Sequence, residues 1–84
     1  MTRQEFTEEI KRRNAKLVSI IQDDKNFAAF GVDSTDKRVE FVAIVKKRGQ
    51  KVVSYRAYGL QAEVWLESKG FDKNLLHIEI HGYL

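Results

Sequence analysis

The chain has 84 residues, a formal net charge of +3, no cysteine and no proline. A chain of this length forms one domain, residues 1–84, around one small core. The lack of cysteine excludes disulfides and thiolate metal sites, and it makes the reducing cytoplasm the expected location. The charged N-terminus lacks the apolar segment of a signal peptide, and no run reaches the roughly 20 apolar residues that span a bilayer, so no membrane contact is expected.

The first predicted element is a long helix from Thr2 to about Asp23. Thr2 and Glu5 have the spacing of a capping box, in which each side chain accepts from the backbone of the other residue. Apolar residues then follow at helical spacing, namely Phe6, Ile10, Leu17, Ile20 and Ile21. The bases Arg12, Arg13 and Lys16 of this helix are either a second polyanion-binding surface or, as is usual for such clusters, a solvated helix face.

Three strands are predicted next. Residues 27–32 form a short strand in which Gly31 indicates a bulge or the close approach of another group. Residues 33–37 have the composition of a turn. Residues 39–47 are the most β-prone run and carry apolar side chains on both faces, which is typical of a central strand. A turn at Gly49 leads into a strand over residues 51–58.

The last predicted elements are a helix over residues 60–69, which stops at Gly70, and a strand over residues 75–84. The buried side of the helix is predicted to consist of Leu60, Val64 and either Trp65 or Leu66. In the strand, Leu76, Ile78 and Ile80 alternate with polar residues. The sequence therefore predicts an α+β fold in the order α-β-β-β-α-β, with an antiparallel four-stranded sheet.

Positive charge is concentrated on the hairpin between the second and third predicted strands. From Lys37 to Arg56 there are seven Lys or Arg and a single acid, Glu40. Such a cluster predicts the binding of a polyanion. The alternative is a solvated hairpin whose lysines discourage pairing at a sheet edge.

The residues that usually carry catalysis or bind metals form no recognisable pattern. His77 and His81 are four residues apart, which on a strand is roughly 13 Å and too far for one ion. The glycines are isolated and do not form a phosphate-binding loop. We therefore predict no catalytic residue, no metal and no cofactor, and hence no enzyme, although an active site assembled from distant residues stays open.

The C-terminal half is similar to a known family. The run Tyr58-Gly-Leu-Gln-Ala-Glu63, a short helix ending in Lys69-Gly70, and residues 76–84 resemble the bacterial single-stranded DNA-binding protein family. Residues 41–47 lie where that family has its second barrel strand, so the resemblance covers about residues 39–84. An OB fold has five strands, and the family's core lacks the N-terminal helix. The resemblance thus implies an incomplete OB-like barrel with an added N-terminal helix.

The resemblance implies a non-catalytic binder of single-stranded nucleic acid, with DNA preferred. Tyr58 matches a position on which the family stacks a base, and Ser54 and Arg56 lie on the same strand face. The cations that would face the phosphates are Lys46, Lys47, Arg48 and Lys51. Phe30 or Tyr83 are candidates for further stacking. For Tyr55 and Tyr58 the alternative is ordinary packing with the hydroxyl at the rim of the core.

The competing hypothesis is a protein-interaction module, such as a phage- or plasmid-type inhibitor or adaptor. A short chain with an exposed last strand suits a protein that adds a strand to a partner. The same strand leaves a homodimer open, because it can pair within one chain or between two.

Overall fold

The computed structural model describes residues 1–72. Its elements are α1 (Arg3–Lys11), β1 (Ala15–Gln22), β2 (Asn26–Asp33), β3 (Val39–Lys46), β4 (Val53–Tyr58) and α2 (Gln61–Ser68). The strands pair antiparallel in the order β1-β2-β3-β4. The predicted α+β class and the predicted antiparallel four-stranded sheet are confirmed. The sheet is open and resembles an incomplete barrel. The strand predicted over residues 75–84 lies outside the described residues.

The N-terminal helix is much shorter than predicted, and its second half is a strand. Helix α1 ends at Lys11, and Asn14 has a φ of +55°, which a right-handed helix does not allow. The periodicity is misleading because Ile20 and Ile21 point to opposite faces of the sheet and pack in different apolar clusters. The β-branched residues of this run favour a strand. The order over the described residues is therefore α-β-β-β-β-α.

The sheet separates two apolar layers, each closed by one helix. On one face α1 packs against the sheet through a cluster of Phe6, Ile10, Phe27, Ala29, Phe41, Ala43 and Val45. On the other face α2 packs through a cluster of Ile21, Ala28, Val42, Ile44, Ala62, Leu66 and Phe71. Strand β3 contributes alternate residues to both layers, so its predicted position as a central strand is confirmed.

Both predicted helix-end signals are present. The backbone N–H of Thr2 donates to the Glu5 carboxylate at 2.9 Å, and the N–H of Glu5 donates to the Thr2 hydroxyl at 3.1 Å. At the end of α2, Gly70 has a φ of +88° and the N–H of Phe71 donates to the Leu66 carbonyl at 3.1 Å. This Schellman arrangement brings Phe71 into the core beside Leu66.

A bulge in β1 explains the glycine inside β2. The β1–β2 register shifts between Lys16 and Ser19, and Leu17 has a φ of +53°. A Cβ added at Gly31 would lie 2.8 Å from both the Lys16 carbonyl oxygen and the Val18 side chain. The close approach predicted at Gly31 is therefore confirmed. The bulge also disrupts β1 as an edge for pairing with another strand.

The buried side of α2 agrees with the prediction at Leu66 and differs from it at Leu60 and Val64. Leu60 and Val64 are 73% and 62% exposed, whereas Ala62 and Leu66 are fully buried. Two residues correspond to about 200° of rotation around a helix, so the 60/64 row faces away when the 62/66 row faces the sheet. Trp65 is half-buried at the rim of the core. Within residues 1–72, neither helix is long and apolar enough to cross a membrane.

Candidate nucleic-acid interface

Two turns lie side by side at one end of the sheet and carry most of its free positive charge. The β2–β3 register pairs Asn26 with Lys46, and the N–H of Lys47 donates to the Lys25 carbonyl at 2.9 Å. The β1–β2 turn therefore contacts the β3–β4 turn, and α2 ends next to both. We call this region the basic end; its cations are Lys25, Lys46, Lys47, Arg48, Lys51 and Lys69.

The basic end contains two open clefts. One, of about 560 Å³, is lined by Asp24, Lys25, Asn26, Lys46, Lys47 and Arg48. The other, of about 310 Å³, lies between the hairpin and the end of α2, and its lining includes Lys46, Lys51, Val53 and Lys69. Lys46 lines both clefts, so they form one surface large enough for several phosphate groups.

The cations of the basic end outnumber the acids beside them, which among the described residues are Asp23 and Asp24 of the β1–β2 turn. Within residues 1–72, none of its six cations forms an ion pair. The Lys47 ammonium lies 5.3 Å from the centre of the Phe27 ring, which attracts it without cancelling its charge. Asp23, in the adjacent turn, accepts hydrogen bonds from the backbone N–H groups of Lys25 and Asn26. The basic end can therefore attract an external anion.

At the opposite end of the sheet the arginines are paired with acids. Arg56 Nε donates to an Asp33 carboxylate oxygen at 2.8 Å, and the Arg56 guanidinium lies 4.8 Å from the centre of the Phe41 ring. Hydrogen bonds from the Thr35 hydroxyl and backbone and from Arg56 lower the pKa of Asp33 to about 2. Arg56 also donates to the carbonyl of Arg13. It therefore links β4 to β2 and to the chain after α1.

Ser54 belongs to the same group of contacts. The Arg13 guanidinium donates to the Ser54 hydroxyl at 3.1 Å and forms an ion pair with Glu9 at 3.3 Å. Of the three bases Arg12, Arg13 and Lys16, both arginines pair with Glu9. These contacts attach the end of α1 to β4.

The structure divides the predicted site residues between the two ends of the sheet. Lys46, Lys47, Arg48 and Lys51 lie together at the basic end. Ser54, Arg56 and Tyr58 follow along the face of β4 that is on the α1 side, as the pairing of Arg56 with Phe41 indicates. Tyr58 is 60% exposed. It lies five residues after Val53, roughly 17 Å along an extended strand.

Phe30, another candidate stacking residue, does not lie at this surface. Phe30 is half-buried and packs against the α2-side cluster. Tyr83, like His77 and His81, lies outside the described residues. Within residues 1–72 no group of three or more His, Asp or Glu is arranged to hold a metal ion.

The helices limit where a ligand can lie on the sheet. Residues 41–45 of β3 are buried on both faces, so a strand of nucleic acid cannot cross β3 as it would cross an open sheet. As far as residues 1–72 show, the accessible parts of the predicted pair of strands are the hairpin at the basic end and the faces and edge of β4.

Some residues of this surface were not predicted. Lys25 joins it only because β1 and β2 form a hairpin, whereas the sequence predicts a helix up to about Asp23. Lys69 reaches it because α2 runs back from Tyr58 towards Val53. The sequence signal for Lys25 is the pair of acids directly before it, which indicates a turn. The position of Lys69 depends on tertiary packing.

Comparison with known proteins gives no match, whether to a protein-family model, to a curated protein or to a solved structure. The resemblance of residues 39–84 to the bacterial single-stranded DNA-binding proteins stays a prediction. The passage from strand to helix that belongs to it is present, with Gly59 at a φ of +58° between β4 and α2.

Proposed function

We propose that this chain binds single-stranded nucleic acid, without catalysing a reaction, by holding phosphate groups at the basic end. The observation that carries the proposal is the separation of its charges. Six cations that form no ion pair within residues 1–72 gather at one end of the sheet, whereas towards the opposite end Arg12, Arg13, Arg38 and Arg56 are paired with acids and three lysines, Lys11, Lys16 and Lys37, are not. A dense group of uncompensated cations is the electrostatic feature expected of a protein that binds a phosphate backbone.

The alternative role for the lysines, protection of a sheet edge, fits their positions less well. Edge-protecting charges lie on the edge strand itself, but β4 contains no lysine between Val53 and Tyr58. The cations lie at the end of the sheet, in its two turns, at the last residue of β3 and at the end of α2. The resemblance of the C-terminal half favours DNA over RNA, and a location in the cytoplasm stays a prediction.

The proposal is tested by titrating the full chain into a labelled oligo-dT of about 16 nucleotides, the upper site size of one OB fold, and measuring fluorescence anisotropy. We expect binding at low salt that weakens steeply as salt is raised, because bound phosphates release counterions. A duplex of the same length serves as competitor. The absence of binding at low salt, or binding that salt does not affect, would contradict the proposal.

A protein-interaction module is the second candidate, and one observation favours it. Strand β4 is at an edge of the described sheet and, unlike β1, contains no bulge. A partner that adds a strand would pair with β4. Purification of one acidic protein in equimolar amount with the chain, with β4 amides protected from hydrogen exchange and no oligonucleotide bound, would select this function. The mass of the free chain in solution decides whether it is a homodimer.

A further inference from the structure

Two aromatic rings form an accessible ledge between β4 and α2. The rings of Tyr55 and Trp65 are 5.6 Å apart and only 11° from parallel. Tyr55 is 37% exposed. We call this pair the aromatic shelf; it borders a shallow, open groove of about 460 Å³ lined by Tyr55, Leu60, Gln61, Val64, Trp65 and Ser68. An open groove of this volume can accept a small planar molecule without enclosing it.

The aromatic shelf is connected to the basic end through Lys69. The Lys69 ammonium lies 5.6 Å from the centre of the Trp65 ring. The same residue lines the cleft that contains Lys46, Lys51 and Val53. An apolar flat surface and a group of cations are therefore adjacent on one side of the sheet. The occupant that matches both is a planar ring attached to an anion.

Tyr58 lacks this combination of neighbours. Its position in β4 puts it on the opposite face from Tyr55, because side chains alternate along a strand. It also lies at the end of the sheet where Arg56 is paired with Asp33. A base stacked on Tyr58 would be roughly 17 Å of strand away from the hairpin cations.

We propose that the aromatic shelf binds a nucleobase of the same single strand whose phosphates occupy the basic end. This inference rests on the proposed function and identifies the aromatic residues of that site as Tyr55 and Trp65. Lys69 then lies between the base and the phosphates and contacts either one. A neutral apolar segment of a protein would pack on the aromatic shelf but would not pair with the cations beside it. Charge complementarity therefore favours the nucleotide.

Two variants of one strand test the choice of tyrosine. Tyr55→Leu and Tyr58→Leu each remove one exposed ring from β4 and retain an apolar side chain. We expect Tyr55→Leu to weaken oligo-dT binding about 5- to 150-fold, the range that corresponds to the loss of one stacked base, and Tyr58→Leu to leave it within about twofold. Tyr55→Phe keeps the ring and should bind as the unmodified chain does. A larger effect of Tyr58→Leu than of Tyr55→Leu overturns the inference.

A second measurement needs no variant. Trp65 is the only tryptophan of the chain, so its fluorescence reports on the shelf. We expect oligo-dT to quench it, and an abasic oligonucleotide of the same length and charge to bind more weakly and leave it unchanged. Equal binding and equal fluorescence with both oligonucleotides would overturn the shelf and leave phosphate binding at the basic end intact. If neither binds and the fluorescence changes instead with a copurifying protein, the proposed function fails as well.

Discussion

The salt dependence of binding gives a quantitative test of the basic end. If each of its six cations, Lys25, Lys46, Lys47, Arg48, Lys51 and Lys69, neutralises one phosphate of a single strand, the logarithm of the affinity falls with the logarithm of salt with a slope of about −4. That slope corresponds to a loss of roughly 300-fold in affinity between 50 and 200 mM salt. The triple variant Lys46→Gln, Arg48→Gln, Lys51→Gln removes half of these charges. We expect its slope to fall to about −2 and its loss over the same salt range to about 20-fold.

A matched control separates the position of the charges from their number. Lys11→Gln, Lys16→Gln and Lys37→Gln also remove three exposed cations, but at the end of the sheet where the arginines are paired. We expect this variant to keep a slope near −4. Both triples should fold normally, because surface substitutions usually change the free energy of unfolding by less than about 0.5 kcal/mol. Equal slopes in the two triple variants, measured by anisotropy with oligo-dT, would show that net charge rather than the basic end governs binding.

Three further predictions concern stability. Leu66→Ala should lower the free energy of unfolding in denaturant by about 2–5 kcal/mol, because Leu66 is fully buried between α2 and the sheet. Leu60→Ala should change it by less than about 0.5 kcal/mol. Similar losses in the two variants would contradict the packing of α2. Asp33→Asn should lower the melting temperature at pH 7 but not near pH 2. The pKa of Asp33 is depressed to about 2, so the stability that its carboxylate contributes above its unfolded pKa is lost as the pH falls. A difference in melting temperature that does not depend on pH would refute this. Gly31→Ala should cost about 1–3 kcal/mol, since its Cβ would meet backbone at 2.8 Å, and Gly49→Ala, with 3.3 Å to the Lys46 side chain, should cost less in the same denaturant experiment.

Features set by local chemistry could be predicted from the sequence. The Thr2–Glu5 capping box and the stop at Gly70 depend on residues within one turn of a helix. The two-faced burial of β3 follows from a run in which every second residue is apolar in both registers. The turn after β2 follows from Asp33, whose carboxylate accepts from the backbone of Thr35. The capping box, the helix stop and the turn do not depend on where the rest of the chain lies.

The errors arose where a pattern fits two structures. The apolar residues Leu17, Ile20 and Ile21 are spaced three and four apart, as on a helix, but two of them are neighbours and also suit a strand that is buried on both sides. Asn14 separates the two structures, because its positive φ ends the helical region before residues 15–22. Once β1 was missed, its hairpin with β2 and the position of Lys25 beside the β3–β4 turn could not be inferred.

The sequence predicts the part of the candidate site that is contiguous along the chain, but not the part that tertiary packing assembles. The cations of the hairpin are contiguous in sequence, so their clustering needs no tertiary information. The aromatic shelf does need it, because Tyr55 and Trp65 meet only when α2 folds back over β4 and places its 62/66 row on the sheet. The resemblance to a family predicts Tyr58 as the stacking residue, whereas we propose Tyr55 because α2 brings Trp65 against it.

The two ends of the sheet carry different basic residues, and this difference is consistent with different tasks. Every ion pair among residues 1–72 uses arginine, whose planar guanidinium holds a carboxylate in a fixed geometry. The basic end consists of five lysines and Arg48. A lysine ammonium is a hydrated point charge on a flexible chain, and it attracts phosphate without fixing the position of a base. Such a surface suits binding that is independent of sequence, because phosphate contacts position a strand and carry no information about its bases. Any preference among bases would then have to come from the aromatic shelf.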